Sequence, residues 1–246
     1  MRARPVLPRF TTLILDLGDV LLDWTSHNTN IPSSTMRQII ASTIWFAYER
    51  GTISQRDCFL QLASRLNLEF DDVQSAFEHA HLSITPKYDV IDLVRKLKAQ
   101  SQGLLRVLAM SNMPLPNFER LRPMFQAWNI FDDYYISCNV GERKPSLRFF
   151  SHVIEDASFD PSKAVFLDDK LDNVLAARSF GIHGIVFDET GPALRRLSDA
   201  FSADPSKRGW NFIVSNAGKL ESITDTGEKI QENFAQLIIL EVTKDR

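Results

Sequence analysis

Cysteine is scarce in this chain: its 246 residues include two, Cys58 and Cys138, too few for a disulfide framework and without metal-ligand spacing. A reducing compartment follows, and a zinc site is not expected. An excess of one charge is also missing. The 28 basic side chains face 31 acidic ones, a formal net charge of -3, so nothing offsets the phosphates of a nucleic acid. No apolar run approaches the roughly 20 residues that span a bilayer. The first nine residues are basic but broken by Pro5 and Pro8, and the apolar stretch after them meets Asp16 too early for a secretory leader. The expectation is a cytoplasmic protein with no nucleic-acid partner and no membrane span. What is present, 44% hydrophobic and 24% charged residues, is an ordinary globular composition, at a length suited to one core with an insert.

Short apolar runs that stop at polar clusters recur along the chain. Residues 11–15 end at Asp16-Leu17-Gly18-Asp19, 104–110 at Ser111-Asn112, and 164–167 at Asp168-Asp169. Residues 134–138 lead towards Gly141-Glu142-Arg143-Lys144-Pro145, and 185–187 end at Asp188. Each reads as a buried strand and the loop that follows it. Helical patterns lie between: 88–99 places Val90, Ile91, Val94 and Leu97 on one face, and 173–180 does the same with Val174, Ala177 and Phe180. Such alternation predicts an α/β fold, a Rossmann-like parallel sheet flanked by helices. Its ligand site should lie beyond the carboxyl ends of the strands.

Residues 24–86 interrupt the alternation with helical stretches at 34–48, 54–67 and 71–81. They predict a helical cap inserted after the first strand, able to close over the site and exclude water. The expected division is a core of residues 10–23 and 87–200, a cap of 24–86, and a tail of 201–246. Within the tail, Ile230, Phe234, Leu237, Ile238, Ile239 and Leu240 predict an apolar helix over 228–242 that docks on a surface, in this chain or in a second copy.

The loop residues form a constellation. The runs Leu13-Ile14-Leu15-Asp16-Leu17-Gly18-Asp19, Met110-Ser111-Asn112, Arg143-Lys144-Pro145 and Phe166-Leu167-Asp168-Asp169, in this order, resemble the haloacid dehalogenase-like (HAD) hydrolase superfamily over roughly residues 10–190. The resemblance implies Asp16 as nucleophile, Ser111 with Asn112 and Lys144 as phosphate-binding groups, and Mg²⁺ held by Asp16, the Gly18 backbone oxygen, Asp169 and Asp168, the last acting from a second layer. The chemistry gives its own reasons for these residue types. A carboxylate can attack phosphorus and split hydrolysis into two easier displacements, but an anion attacking an anion needs cations nearby. A hard divalent cation, a lysine and a hydroxyl donor supply them.

One position departs from the family pattern. Two residues after the nucleophile the family places a second Asp as general acid and base, and here stands Gly18. The leaving group must then depart unprotonated or take a proton from Asp19, Asp23, water or the substrate. A diphosphate tolerates this better than an alkyl monoester, because its leaving phosphate is already a weak base. Asp19 is accordingly a candidate catalytic residue.

The string Asp168-Asp169-Lys170-Leu171-Asp172 also matches the DDxxD motif of class I terpene synthases, but that motif rides on a long helix and this one follows a short strand. A closer resemblance links Leu17-Gly18-Asp19-Val20-Leu21 with Trp24, residues 166–187, and Asn216-Ala217-Gly218 with Asn233-Phe234-Ala235-Gln236-Leu237 to the HAD-like proteins and domains of fungal drimane-type sesquiterpene pathways. It implies a phosphorylated small-molecule substrate, a terpenyl mono- or diphosphate. The chain has no DxDxT cyclisation motif, so a stand-alone phosphatase or a fragment is expected. The rivals are hydrolysis of another small phosphorylated metabolite, a catalytically weakened binding domain, and metal-independent dehalogenation. The adjacent acids argue against the last, because that chemistry needs no cation.

Blander readings stand beside these. Asp172 is expected to cap the helix after it, and His27, His79, His81, His152 and His183 fit no ligand pattern. Trp45, Phe46, Phe59 and Phe77 read first as core of the cap helices, though a prenyl chain would need an apolar wall from this segment.

Overall fold

The computed structural model describes residues 9–25, 29–188 and 191–202 in full, and beyond them the backbone of three strands at 213–214, 219–223 and 229–233. His27 lies outside the described residues.

Five strands form one parallel sheet: β1 (Thr12–Leu15), β4 (Arg106–Ser111), β5 (Asp133–Ile136), β6 (Ala164–Asp168) and β7 (His183–Val186). Their order is β5-β4-β1-β6-β7, so β1 runs through the middle. Both faces are covered, which is why the strands read as apolar runs without alternation. Leu13, Leu15, Val107, Ala109, Val165 and Leu167 face one buried cluster, packed by α5 (Tyr88–Gln100), α6 (Leu115–Trp128) and α10 (Pro192–Ala200). Ile14, Leu108, Met110 and Phe166 point the other way, onto α8 (Leu147–Ala157) and α9 (Leu171–Ser179). The two-residue period of a strand thus divides one hydrophobic sequence between two cores.

The expected strand over 134–138 ends sooner. Its last residues begin α7 (Ser137–Val140), where the buried Ser137 hydroxyl accepts from the Met113 N–H at 2.9 Å and donates to the Glu49 carbonyl at 2.6 Å. That side-chain bonding replaces a strand ladder.

The inserted segment builds its own core. Helices α1 (Ser33–Ile40), α2 (Thr43–Glu49), α3 (Gln55–Leu66) and α4 (Phe70–Leu82) bury Met36, Ile39, Trp45, Tyr48, Phe59 and Leu62 among them. The helix expected over 34–48 is in fact two, because the Ser42 side chain accepts from the Trp45 N–H at 3.1 Å and starts a new helix. The insert leaves and rejoins the core at one place, where β2 (Leu22–Asp23) pairs antiparallel with β3 (Thr85–Pro86). At its far side Gly51, with φ +72, lies so close to α7 that an added Cβ would sit 3.0 Å from the Cys138 carbonyl oxygen. Only glycine takes this backbone without strain and allows that approach.

Residues 202–246 form a separate unit. In it β8 (Ile213–Val214), β9 (Lys219–Ile223) and β10 (Lys229–Asn233) make an antiparallel sheet in the order β10-β9-β8. This corrects the helix expected from 228. Lys229-Ile230-Gln231-Glu232-Asn233 has a single apolar residue and pairs along its whole length with β9, so its backbone is satisfied across strands. The rest of the expected helix, 234–242, lies outside the described residues. Among the described residues no helix is long and apolar enough to cross a membrane.

Candidate active site

The strand register assembles the site. Leu15 pairs with Ala109 on one side and Leu167 on the other, so Asp16, Ser111 and Asp168 emerge together at the carboxyl ends of three adjacent strands. The Asp16 N–H donates to the Leu167 carbonyl at 3.0 Å, which carries the pairing into the loop. The fourth residue, Lys144, arrives from the segment after α7 and is buried. Asn112 fixes it there: its Oδ1 accepts from the Lys144 N–H at 2.8 Å and its Nδ2 donates to the Lys144 carbonyl at 3.0 Å.

The Lys144 Nζ bridges two carboxylates, 2.9 Å from Asp16 Oδ1 and 2.6 Å from Asp168 Oδ2. Asp168, fully buried, also accepts from both the Lys170 N–H at 2.8 Å and Asn173 Nδ2 at 2.9 Å. Burial pushes the Asp16 carboxyl up to about 7; the Lys144 charge opposes this, and the Asp168 and Asp169 charges add to it. Burial alone would lower the Lys144 ammonium, but the two carboxylates it touches outweigh that and hold it above its ordinary range.

Asp16, Asp168 and Asp169 each bring a carboxylate oxygen within 4.8 Å of the others. One buried lysine faces three such groups, and the Asp168 and Asp169 charges add to the burial that raises the Asp16 carboxyl. Lys170, which pairs with Asp169, is a surface residue. Among the described residues, Asp16 Oδ2 and Asp169 Oδ1 accept no hydrogen bond. An all-oxygen, anionic donor set of this kind fits a hard divalent cation such as Mg²⁺.

The residues expected from sequence separate into groups here. Asp16, Gly18, Asp19, Ser111, Asn112, Lys144 and Asp169 line one cavity, and Asp168 supports it from beneath through Lys144. Asn112, expected to contact substrate, has both side-chain polar atoms on the Lys144 main chain. Asp19 adopts φ +58 and is half-exposed, and its carboxyl is raised by partial burial and by the neighbouring Asp169 charge. Asp23 is held at 2.6 Å by Lys87 and does not line the cavity. Asp172 lies within the first turn of α9 and makes no side-chain cap bond; there it complements the helix dipole. Gly18 has ordinary negative-side geometry, and a Cβ built on it meets nothing within 4 Å.

Two contributors were not foreseen. Asn173 is reached only because α9 begins directly after β6; an amide one turn into a helix that follows paired acids is the signal that would have found it. Glu49, at the end of α2, pairs with Arg143 at 2.7 Å and accepts from Trp45 Nε1 at 3.0 Å. Arg143 in turn lies over the Phe46 ring, 3.8 Å from its centroid. The Arg143 contacts depend on the cap meeting the core and have no local sequence signature, whereas Trp45 and Glu49 stand four residues apart on α2.

The cavity has a volume of about 530 Å³. The core supplies its acidic and basic floor, and the cap supplies Ile40, Trp45, Phe46 and Phe77 as walls, joined by Trp24 and Ile84. The aromatic residues first read as helix core are therefore divided in role. Trp45, Phe46 and Phe77 face the cavity as well as the cap interior, whereas Phe59 does not reach it.

Comparison with known proteins agrees with this geometry. Residues 10–181 match the family model described as haloacid dehalogenase-like hydrolase, and residues 206–246 match the C-terminal domain of sesquiterpene cyclases like astC. The chain is 40% identical to the drimenol cyclase drtB of Aspergillus calidoustus over 234 residues, 95% of this chain and 44% of that protein. It is thus less than half the length of that relative. It is 34% identical to the sesquiterpene phosphatase astK of Aspergillus oryzae over 177 residues, 72% of this chain and 89% of that one. Among solved structures, a HAD-like hydrolase from Porphyromonas gingivalis is similar in fold, with a TM-score of 0.62 at 23% identity over 77% of this chain and 98% of its own. A HAD family enzyme from Bacteroides thetaiotaomicron, in complex with magnesium and inorganic phosphate, has a TM-score of 0.58 at 20% identity, over 74% and 96%. With its five-stranded parallel sheet, its acid-lysine cluster and a family match covering more than two thirds of its length, this chain belongs to the haloacid dehalogenase-like hydrolases.

Proposed function

We propose that this chain is a Mg²⁺-dependent phosphatase that works through an aspartyl-phosphate on Asp16, with a terpenyl mono- or diphosphate of the farnesyl or drimanyl type as substrate. The observation that carries this reading is the junction of a buried Asp16-Lys144-Asp168 cluster with an apolar, cap-roofed cavity. A phosphate suits the first and a hydrocarbon tail the second. The similarity to a sesquiterpene phosphatase and to a drimenol cyclase supports the substrate class.

Asp16, Asp169 and the Gly18 carbonyl would hold the metal, with Asp168 bracing them. When bound, the cation offsets the negative charge of nucleophile and phosphate. The protein's own groups do the rest. Lys144 keeps Asp16 oriented and lends positive charge to the phosphate oxygens, and the Ser111 hydroxyl donates to them. An Asp16 carboxylate oxygen forms a bond to phosphorus, while the bond from phosphorus to the leaving oxygen breaks and its electron pair stays with that oxygen. For a diphosphate the leaving group is the terpenyl monophosphate. Water then attacks the phosphorus of the aspartyl-phosphate, releasing inorganic phosphate and regenerating Asp16. The cap excludes competing water during the first step.

Phosphate release from farnesyl and drimanyl diphosphates, with Mg²⁺ or with chelator, tests the reading. Asp16→Asn is expected to abolish release. Release that survives the substitution removes the covalent mechanism, and turnover of sugar phosphates without turnover of prenyl substrates removes the terpenyl assignment.

A further inference from the structure

A second cavity, about 440 Å³, lies between the cap helices and α6, and its lining includes the aromatic Tyr48, Phe59 and Phe70. It is separate from the catalytic cavity, yet Trp45, Phe77, His81 and Asn117 line both. The shared wall is built around one contact. The Trp45 and Phe77 rings stack with centroids 4.5 Å apart and planes 9° from parallel, and Phe59 stacks on Phe77 at 5.3 Å and 10°. Rings at that separation leave no room for a hydrocarbon chain between them.

We propose that the Trp45-Phe77 stack sets the chain length this active site accepts, by closing the apolar end of the catalytic cavity against a second cavity that a longer isoprenoid tail would enter. The proposal rests on the terpenyl reading above and adds a specificity-determining pair to it. Geometry supports it on both sides of the wall. On the catalytic side Ile40, Phe46 and Ile84 line the same cavity as the stacked rings, so a tail anchored by its phosphate at Asp16 and Lys144 meets an apolar wall that includes them. On the far side Phe59 and Phe70 continue the aromatic surface, and the charged Glu78 and Arg120, which pair at 2.7 Å, belong to the same lining. The second cavity thus presents aromatic rings at the wall and polar groups, Gln55, Arg56 and Gln74 among them, over much of the rest.

The two rings are not equivalent as probes. Trp45 donates to the buried Glu49, which holds Arg143 beside Lys144, so its removal disturbs the catalytic lysine's neighbour. Phe77 is partly exposed and makes ring contacts only with Trp45 and Phe59 among the described residues. It is the cleaner position.

The experiment compares phosphate release from geranyl, farnesyl and geranylgeranyl diphosphates by wild type, Phe77→Ala, the milder Phe77→Leu, and Ile40→Ala, which enlarges the catalytic cavity and leaves both rings of the stack in place. Thermal melts establish that each variant folds. Wild type is expected to favour the fifteen-carbon over the twenty-carbon substrate. Phe77→Ala should raise the twenty- to fifteen-carbon ratio of kcat/KM by about tenfold, the lower end of the discrimination that one methylene commands, with Phe77→Leu in the same direction and Ile40→Ala without that shift. Farnesyl turnover with an unchanged ratio in both Phe77 variants, or an equal gain in Ile40→Ala, overturns the partition and leaves the substrate class standing. Turnover of simple phosphate esters with none of any prenyl diphosphate overturns the substrate class and the partition together.

Discussion

Glu49 reaches from the end of a cap helix to Arg143, the residue before Lys144, with 2.7 Å between Oε2 and Nε. Both side chains are largely buried, and burial raises the Glu49 carboxyl against the pull of the Arg143 charge. Removing one partner of such a pair leaves an uncompensated charge, at a cost of about 3–5 kcal/mol. Glu49→Ala is therefore expected to destabilise the fold by about 3 kcal/mol in urea denaturation and to raise KM by loosening the cap over the site. Glu49→Gln, which keeps a hydrogen-bonding group for Trp45 and Arg143, should cost less. Equal stability of Glu49→Ala and wild type would show that the pair contributes nothing.

Gly18 offers a direct test of the missing acid. Because a Cβ there meets nothing within 4 Å and the backbone is not left-handed, Gly18→Asp should fold normally. Wild type is expected to cleave a terpenyl diphosphate to the monophosphate faster than it cleaves the monophosphate to the alcohol, since only the second step needs a protonated leaving oxygen. Gly18→Asp should accelerate the second step about tenfold or more, read as loss of accumulated monophosphate in a product time course. An unchanged ratio of the two rates would mean that another group already donates the proton.

Asp19 is the nearest internal candidate for that group. It lines the cavity, and its carboxyl is held above the usual range by partial burial and by Asp169. If Asp19 serves, Asp19→Asn lowers monophosphate turnover and leaves diphosphate turnover largely intact. Parallel loss on both substrates would instead identify a role in shaping the loop, where its left-handed backbone suits Asn equally well.

The carboxylate cluster predicts metal-linked stability. Mg²⁺ at about a hundredfold excess over Kd should stabilise the fold by about 2.7 kcal/mol, a rise in Tm of about 5–10 °C for a chain of this size. Chelator should reverse the shift, and Asp169→Asn should abolish it. A Tm indifferent to Mg²⁺ would remove the cluster as a metal site without reference to activity.

His183 predicts a pH dependence away from the site. At the start of β7, with its ring 5.3 Å from Phe10, it is depressed to about 4 by burial and by the charges of Arg9 and Arg178. Above its ordinary value of 6.5 the imidazole is neutral in folded and unfolded chains alike. As the pH falls from there to about 4, the unfolded chain binds a proton that the folded chain refuses, so stability is lost across that window. His183→Gln should flatten this part of the curve of unfolding free energy against pH. Parallel wild-type and variant curves between these values would contradict the buried, neutral state.

The three-layer fold was legible in the strand runs because a parallel sheet buried on both faces requires continuous apolar segments, and each of the five runs became a strand with ends shifted by a few residues. The cap was legible as an interruption of alternation. Its break at Ser42 was not anticipated, since a single cap hydrogen bond decides it and helical periodicity continues through. The tail was misjudged at Lys229–Asn233, where pairing with Lys219–Ile223 overrides an apolar periodicity drawn mainly from residues further on. Tertiary pairing commonly wins such contests over local pattern.

Sequence alone pointed to the chemistry proposed for this chain, because Asp16, Ser111 and the Asp168-Asp169 pair stand at the ends of strands whose topology brings those ends together, with Lys144 in the segment after α7. It also isolated Gly18 as the position where the expected acid is missing, and the structure adds that nothing there prevents one. Only the tertiary structure decided that Asn112 grips the Lys144 main chain, that Asp168 and Asn173 brace the site from below, and that cap aromatics divide two cavities. Those relationships join residues from separate segments across buried interfaces, and burial is a property of the packed chain that no local spacing records.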